Sequence, residues 1–274
     1  MKKIKFPLKG KYVAMVAPSF IVDFPYPGII HGLRLLGFEK VVELTFGAKL
    51  VNKDYHKILE NSKELKISSV CPGVVHNVLE KYPKYKKNLM KVDSPMIATA
   101  KICKKIYPGY KIVFISPCNY KKIESKNSKI INYSIDYKEL KKIFLDKKIN
   151  LKIKQIMHFD KFYNDYTKVY PVSGGLSKTA HLKGILKKEQ VKIIDGIKEV
   201  FEFLEKPDKK IKFLDCTFCI GGCIGGPCVN SNLSINKRKN QVLDYLEKSK
   251  HEDIPEERKG LIKDAKGILF ERKF

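Results

Sequence analysis

Long apolar runs are missing from this sequence. No window reaches the roughly 18 uninterrupted apolar residues that a membrane-spanning helix requires, so no transmembrane segment is expected. A secretory leader is not expected either. "MKKIKFPLKGKYVAMVAP" opens basic, but it lacks an apolar run of about seven residues followed by a small-residue cleavage site. Arginine is scarce. Among 55 Lys and Arg residues, only Arg34, Arg238, Arg258 and Arg272 carry the guanidinium, the group suited to bidentate reading of phosphates and base edges. The formal net charge of +26 therefore reads as a lysine-rich solvated surface rather than a nucleic-acid platform. Such a surface can still attract an acidic protein partner. The six histidines, His31, His56, His76, His158, His181 and His251, show no close pairing of the kind metal ligands make. An even cysteine count is absent too. Seven cysteines without a leader argue against a complete disulfide framework and for clustered, metal-binding thiols in a reducing cytoplasm. No membrane and no nucleic acid is expected among the partners.

What is present is a chain of 274 residues, 43% hydrophobic, enough to bury a substantial core. Its first half alternates strand and helix. "KYVAMVAP", "KVVELTF", "KISSV" and "YKIVFISP" read as strands. "PYPGIIHGLRLLG", "NKDYHKILENSKEL", "CPGVVHNVLEKY" and "SPMIATAKICKKIY" read as helices, with Gly37 a stop and Pro72 in a first turn. Beyond residue 120 come a loop at "KNSKI", a helix at "DYKELKKIFLDKK" and an aromatic, irregular stretch at "HFDKFYNDYTKVYP", read as internal packing. "SGGLSKTAHLKGIL" reads as a turn into a helix. "QVKIIDG", "IKEVFEFLEK" and "KIKFLD" follow as strand, helix, strand. The end carries one good helix, "INKRKNQVLDYLEKSK", and a weaker one, "PEERKGLIKDAKGILF". The alternation predicts an α/β fold of two lobes, each a mainly parallel sheet flanked by helices. The lobes are placed at 1–120 and 121–250, with a helical tail at 251–274.

Three cysteines share one placement. Cys71 follows "KISSV", Cys118 follows "KIVFISP" and Cys216 follows "KIKFLD". Ligand sites in open α/β sheets gather at the carboxyl ends of strands, so three strands aim sulfur at one edge. The competing reading of Cys71 and Cys118 is an ordinary buried thiol. The last of these strands delivers "CTFCIGGCIGGPC", in which Cys216, Cys219, Cys223 and Cys228 are separated by two, three and four residues. That spacing matches neither paired zinc ligands nor the ferredoxin run. A Cys-x2-Cys redox pair is a further option. Thiolates are the ligands of iron–sulfur clusters, and the amides of a glycine-rich loop can hydrogen-bond cluster sulfides. Cys103, inside the helical "ATAKICKKIY", reads as a packed thiol.

Three blocks together resemble the catalytic, H-cluster domain of FeFe-hydrogenases. They are "SSVCPGVVHNVLEKYP" with "NLMKVDSPM" downstream, "FISPCNYKK", and "CIGGCIGG". "VAPSF", "GLRLLGFEKVVELTFGAKL" and "PVSGGLSKTA" resemble the same family, over residues 10 to 250. The resemblance implies a single H-cluster-type domain over 1–274 with the cluster between its lobes. It implies that Cys71, Cys118, Cys219 and Cys223 ligate a 4Fe-4S cluster, with Cys223 also bridging to a two-iron subsite that carries CO and CN ligands. It implies that Lys121 donates to a cyanide of that subsite, and that Ala17, Pro18, Pro117 and the backbone near Gly174 line its pocket. Its substrates would be H2 and protons. Its partners would be a separate redox or signalling protein and, if the two-iron subsite is loaded, hydrogenase maturation proteins.

Departures from the family pattern temper the activity. Val70 stands where catalytic members carry a proton-relaying cysteine. Tyr55 and Ile58 fall where relay glutamates are expected, with Asp54 nearby. Ser116 replaces a methionine, and no ferredoxin domain is expected upstream. Proton transfer needs a chain of groups within hydrogen-bond reach, so the expected protein is a slow hydrogenase or an H2 sensor of an anaerobe. Ser69, Ser94, Ser116 or water are the substitutes for the missing relay. The pattern sits closest to the sensory branch of the family. The alternative is a non-catalytic 4Fe-4S protein serving electron transfer or iron–sulfur assembly; a zinc or nucleic-acid-binding module is a third reading.

Overall fold

The computed structural model describes residues 4–274. Its strands are β1 (Tyr12–Val16), β2 (Lys40–Glu43), β3 (Lys66–Ile67), β4 (Lys111–Ser116), β5 (Tyr133–Asp136), β6 (Val191–Asp195) and β7 (Phe213–Thr217). Its helices are α1 (Gly28–Leu35), α2 (Thr45–Glu60), α3 (Pro72–Lys81), α4 (Pro95–Ile106), α5 (Asn119–Ser128), α6 (Tyr137–Asp146), α7 (Gly175–Thr179), α8 (Ile197–Glu205) and α9 (Ile235–Lys250). Four strands form one sheet in the order β2-β1-β4-β5, and three form another in the order β3-β7-β6. Every pairing within them is parallel. The expected α/β architecture is therefore the one observed.

The four-stranded sheet is covered on both faces, which is why β1 is an unbroken apolar run buried at every position. Ala14 sits in the middle, level with Val41 of β2 and Val113 of β4. One face packs Val13, Met15 and Phe114 against Phe46, Leu50 and Tyr55 of α2 and Met96 and Ile102 of α4. The other packs Ala14, Val16 and Ile115 against Ile29 and Leu33 of α1 and Leu140 and Phe144 of α6. Each fully buried Val, Leu, Ile or Phe contributes about 1.5–3 kcal/mol. The smaller sheet packs Ile67 and Leu214 against Val74 and Val78 of α3 and Val200 and Leu204 of α8. The sheets do not divide at residue 120: β3 pairs with β7, and β5 pairs with β4.

Local chemistry explains most boundaries. Asp136 caps α6 through the Glu139 amide while the Glu139 carboxylate accepts from the Asp136 amide, both at 2.8 Å. Gly37 follows α1 at φ +90, a conformation that glycine adopts freely. Several expectations need correction. "KISSV" pairs only over Lys66–Ile67, and α2 begins at Thr45, inside the stretch read as strand. The helix read through "SGGLSKTAHLKGIL" stops at Thr179. α5 replaces the loop read at "KNSKI". It buries only Ser125 and so leaves no apolar periodicity to find. The tail at 251–274 contains no α-helix, only 3-10 turns at Glu256–Arg258 and Ile262–Ala265. Gly260 presses its Cα against the Phe46 ring, where a Cβ would lie 2.4 Å from a ring carbon, and Gly267 stands at φ +79. The tail thus wraps the body as a strap instead of coiling.

Candidate metal centre

The ends of β1, β2, β3, β4 and β7, with the glycine loop and the turn at Tyr170 to Val172, border a cavity of about 110 Å³. β1 runs into Ala17 and Pro18, β3 leads to Val70 and Cys71, and β4 leads to Pro117 and Cys118, with Lys121 one turn into α5. β7 contributes Asp215 and Thr217, and Cys223 closes the wall opposite Tyr170, Pro171 and Val172. Cys71 and Cys118 occupy the residues immediately before α3 and α5. Helix N-termini offer free amides and positive potential to a thiolate. The Phe218 amide donates to Cys71 Sγ at 3.4 Å.

The four sulfurs singled out by sequence feel one another. Burial pushes the Cys118 thiol up to about 11, with the Cys71 charge adding and the Lys121 and Tyr120 amides and the Lys121 ammonium opposing. Cys219 is pushed up to about 12, by burial first and then by Cys71, Cys118 and Cys228. Cys223 rises further through burial and then Cys118, Cys71 and Cys219, against Lys121. Cys223 is exposed and borders the cavity. Without a cation the Cys118, Cys219 and Cys223 thiols stay protonated. A metal that binds them must displace their protons and supply the compensating charge. Among the described residues no three His, Cys, Asp or Glu side chains meet tightly enough to chelate a single ion. Four neighbouring cysteines, three of them on the cavity wall, are the all-thiolate donor set that an iron–sulfur cluster takes.

The remaining cysteines are committed elsewhere. Cys216 is buried against Ser68, whose Oγ lies 3.6 Å from its Sγ and accepts its amide at 2.9 Å. Cys228 Sγ donates to Asn119 Oδ1 at 3.2 Å. Burial, then Asp136, pushes the Cys228 thiol up to about 11. Cys103 lies in the core between α4 and its neighbours, and burial alone raises it. Of the expected lining, Ala17, Pro18, Pro117 and Lys121 border the cavity. Gly174 does not: it precedes α7 at φ +75 with Ile193 against it, and Tyr170 to Val172 form that wall instead. Cys219 is not part of the cavity wall and joins the group through the other three sulfurs.

The glycine loop is stapled across the site. The Cys223 amide donates to Pro171 O at 2.8 Å and the Cys228 amide to Pro117 O at 3.3 Å. Gly222, at φ +76, pairs with Val172, and a Cβ there would sit 2.6 Å from Pro171 O. Gly222→Ala is expected to cost about 1–3 kcal/mol, the range for forced left-handed backbone. It should also lower iron retention, because the clash falls on the staple that sets Cys223. Denaturant midpoints and iron content check this together.

Sequence reading missed the surroundings of Lys121. Its Nζ donates to Glu124 Oε2 at 2.6 Å and to Val70 O at 3.2 Å. Ser94 Oγ donates to the same carboxylate at 3.1 Å, and Arg272 lies 3.1 Å from Glu124 Oε1. Glu124 is three residues from Lys121, a signal readable once α5 is known to be a helix. Arg272 left no signal. Of the substitute relay groups, only Ser116 borders the cavity. Ser69 Oγ donates to Val92 O at 3.2 Å and pairs with Tyr55 Oη at 3.0 Å. Ile58 packs in the core, and Asp54 lies outside the cavity.

The family described as "Iron only hydrogenase large subunit, C-terminal domain" matches residues 10–227. Iron hydrogenase 1 of Clostridium pasteurianum is 26% identical over 293 residues, covering 82% of this chain. The chain spans about half of that relative's length, 51%. Among solved structures, a variant of the FeFe-hydrogenase HydA1 from Chlamydomonas reinhardtii superposes with a TM-score of 0.67 at 16% identity, covering 92% of this chain and 86% of that one. HydA(deltaEFG), whose structure reveals stepwise assembly of the FeFe-hydrogenase H-cluster, superposes at 0.66 with 16% identity and the same coverage. These two likenesses establish a shared fold.

Proposed function

Because this chain belongs to the iron-only hydrogenase large subunit, C-terminal domain family, we propose that it holds an H-cluster and interconverts H2 with protons and electrons slowly, as a low-activity hydrogenase or an H2 sensor. The observation that carries this reading is the convergence of Cys71, Cys118 and Cys223 on one cavity that also receives Lys121, with Cys219 beside that cavity and close enough to feel Cys71 and Cys118. When bound, the two-iron subsite would supply the redox chemistry on H2. The chain's own work is to hold and shield it. Four thiols grip the 4Fe-4S part, the staple fixes Cys223, and Ala17, Pro18 and Pro117 exclude water with apolar surface. Lys121 places a positive charge beside an anionic ligand, where an unpaired buried charge would be costly. Val70 offers no proton, which is the reason for slow turnover. Loading would call on hydrogenase maturation proteins, and electrons would pass to a separate redox or signalling partner.

Anaerobic expression with the maturation machinery, followed by infrared spectroscopy and H2/D2 exchange, tests the proposal. Carbonyl and cyanide bands with slow exchange are the expected result; neither bands nor exchange would refute it. Lys121→Met is expected to weaken retention of the two-iron subsite roughly tenfold to hundredfold, the value of one charge-assisted hydrogen bond of about 1.5–3 kcal/mol. Band intensity per 4Fe-4S cluster reads this out. One observation favours a second reading. The Lys121 ammonium is engaged by Glu124 and Val70 O, which suits a protein that keeps only the 4Fe-4S cluster. About four irons and four sulfides per chain without diatomic bands would select that reading.

A further inference from the structure

The cavity wall contains one carboxylic acid, Asp215. It lies within β7, is 3% exposed, and has no cationic partner among the described residues. Its Oδ2 accepts the Ser177 amide at 2.9 Å, and Oδ1 makes no hydrogen bond among the described residues. A buried carboxylate without a counter-charge is costly, so such a group holds a proton unless something takes it. Two hydroxyls lie beside it. Tyr170 Oη is buried with no hydrogen-bond partner among the described residues, and the Ser177 side chain is near enough to the Asp215 carboxyl to oppose the effect of burial. Tyr170 borders the cavity and lies close enough to feel the charges of both Asp215 and Cys223. Ser177 belongs to α7, whose next residue, Lys178, is exposed.

We propose that Asp215 is the proton-transfer residue of this cavity, taking the part that Val70 cannot play, with the hydroxyls of Tyr170 and Ser177 on its inner and outer sides. The inference rests on the function proposed above. Oxidation of H2 leaves two protons and two electrons. The neutral Asp215 acid first releases its proton toward water; the carboxylate so formed then accepts a proton from H2 oxidation, and the cycle of release and uptake runs once for each of the two protons. The two electrons leave one at a time to two molecules of a soluble one-electron acceptor protein. Proton reduction runs the same transfers backwards. Burial holds the Asp215 carboxyl above the usual carboxylate range, the direction a group needs if it is to exchange protons near neutrality. The groups that face it are Tyr55 of α2, Tyr170 ahead of α7, Cys216 of β7 and, across the cavity, Lys121, Cys71 and Cys223.

The same shift has a stability consequence. The folded pKa lies above the unfolded one, so the folded chain binds the proton more tightly. Stability is highest below the unfolded carboxyl pKa and falls as pH rises through the folded one. Asp215→Asn is expected to remove that fall and to be the more stable protein at high pH.

The test uses wild type, Asp215→Asn and Asp215→Glu. In the protein without cluster, a carboxylic-acid C=O band near neutral pH should be present in wild type and lost in Asp215→Asn. In matured protein, Asp215→Asn should keep its iron content and diatomic infrared bands while H2/D2 exchange falls about 100-fold, and Asp215→Glu should recover part of the rate. Intact bands with exchange at the wild-type rate in Asp215→Asn, or no carboxylic-acid band in the wild type, would overturn this inference alone. A wild type without diatomic bands would overturn it together with the proposed function.

Discussion

Cys223→Ala, Cys219→Ala, Cys118→Ala and Cys71→Ala are each expected to give a folded chain that retains less than about a quarter of the wild-type iron, while Cys103→Ala, Cys216→Ala and Cys228→Ala retain nearly all of it. The contrast follows from where the sulfurs lie. Burial first, and then the neighbouring sulfurs including Cys71, raise the proton affinity of Cys118, Cys219 and Cys223. Cys216 faces Ser68, Cys228 faces Asn119 and Cys103 sits in an apolar core. The frame should survive because these thiols, at strand ends, helix starts and the glycine loop, lie outside the two large cores. Iron and sulfide assays beside circular dichroism measure both halves of the expectation. Iron loss in Cys216→Ala with retention in Cys219→Ala would reverse the assignment.

Lys168→Met should be the most destabilising single substitution outside the cluster ligands, at about 3–5 kcal/mol, the cost of leaving one member of a buried ion pair alone. Lys168 and Glu43 are 0% and 1% exposed, with Nζ 2.7 Å from Glu43 Oε2. The ammonium also donates to Tyr245 Oη at 2.6 Å and lies 4.0 Å from that ring's centroid. Tyr245 Oη in turn donates to Glu43 Oε1 at 3.2 Å. Desolvation raises the Glu43 carboxyl, and the Lys168 ammonium opposes it. The cluster ties the end of β2 to α9 and to the turn that leads into Tyr170, Pro171 and Val172, so loosening it should also disturb the cavity wall. Urea midpoints of Lys168→Met, Glu43→Gln and the double variant form a cycle. The double variant should recover much of the loss, since a neutral pair leaves no buried charge unpaired. Simple additivity would show that the pair is not coupled.

Most strands and the site's first residues could be read from sequence because each is a local signal. β1, β4 and β7 are apolar runs, and Cys71, Cys118 and the glycine loop follow strand ends directly. What could not be read is non-local or polar. β5 is short, and α5 has no apolar stripe. The strap at 251–274 carries a helical-looking pattern that Gly260 and Gly267 override. Lys168 and Glu43 are 125 positions apart, and a lysine among many lysines gives no hint of burial. Asp215 ends an apolar stretch where a sequence reader sees only a strand boundary. Its surroundings come from Tyr170 and Ser177, which the fold alone brings near.

If four separated cysteines form one H-cluster-type site, removing one ligand must empty it while removing a bystander cysteine must not. The most direct measurement is the infrared spectrum of anaerobically matured wild type, Cys216→Ser and Cys223→Ser. Carbonyl and cyanide bands in the first two and none in the third are the predicted result. Bands that persist in Cys223→Ser and vanish in Cys216→Ser would contradict it.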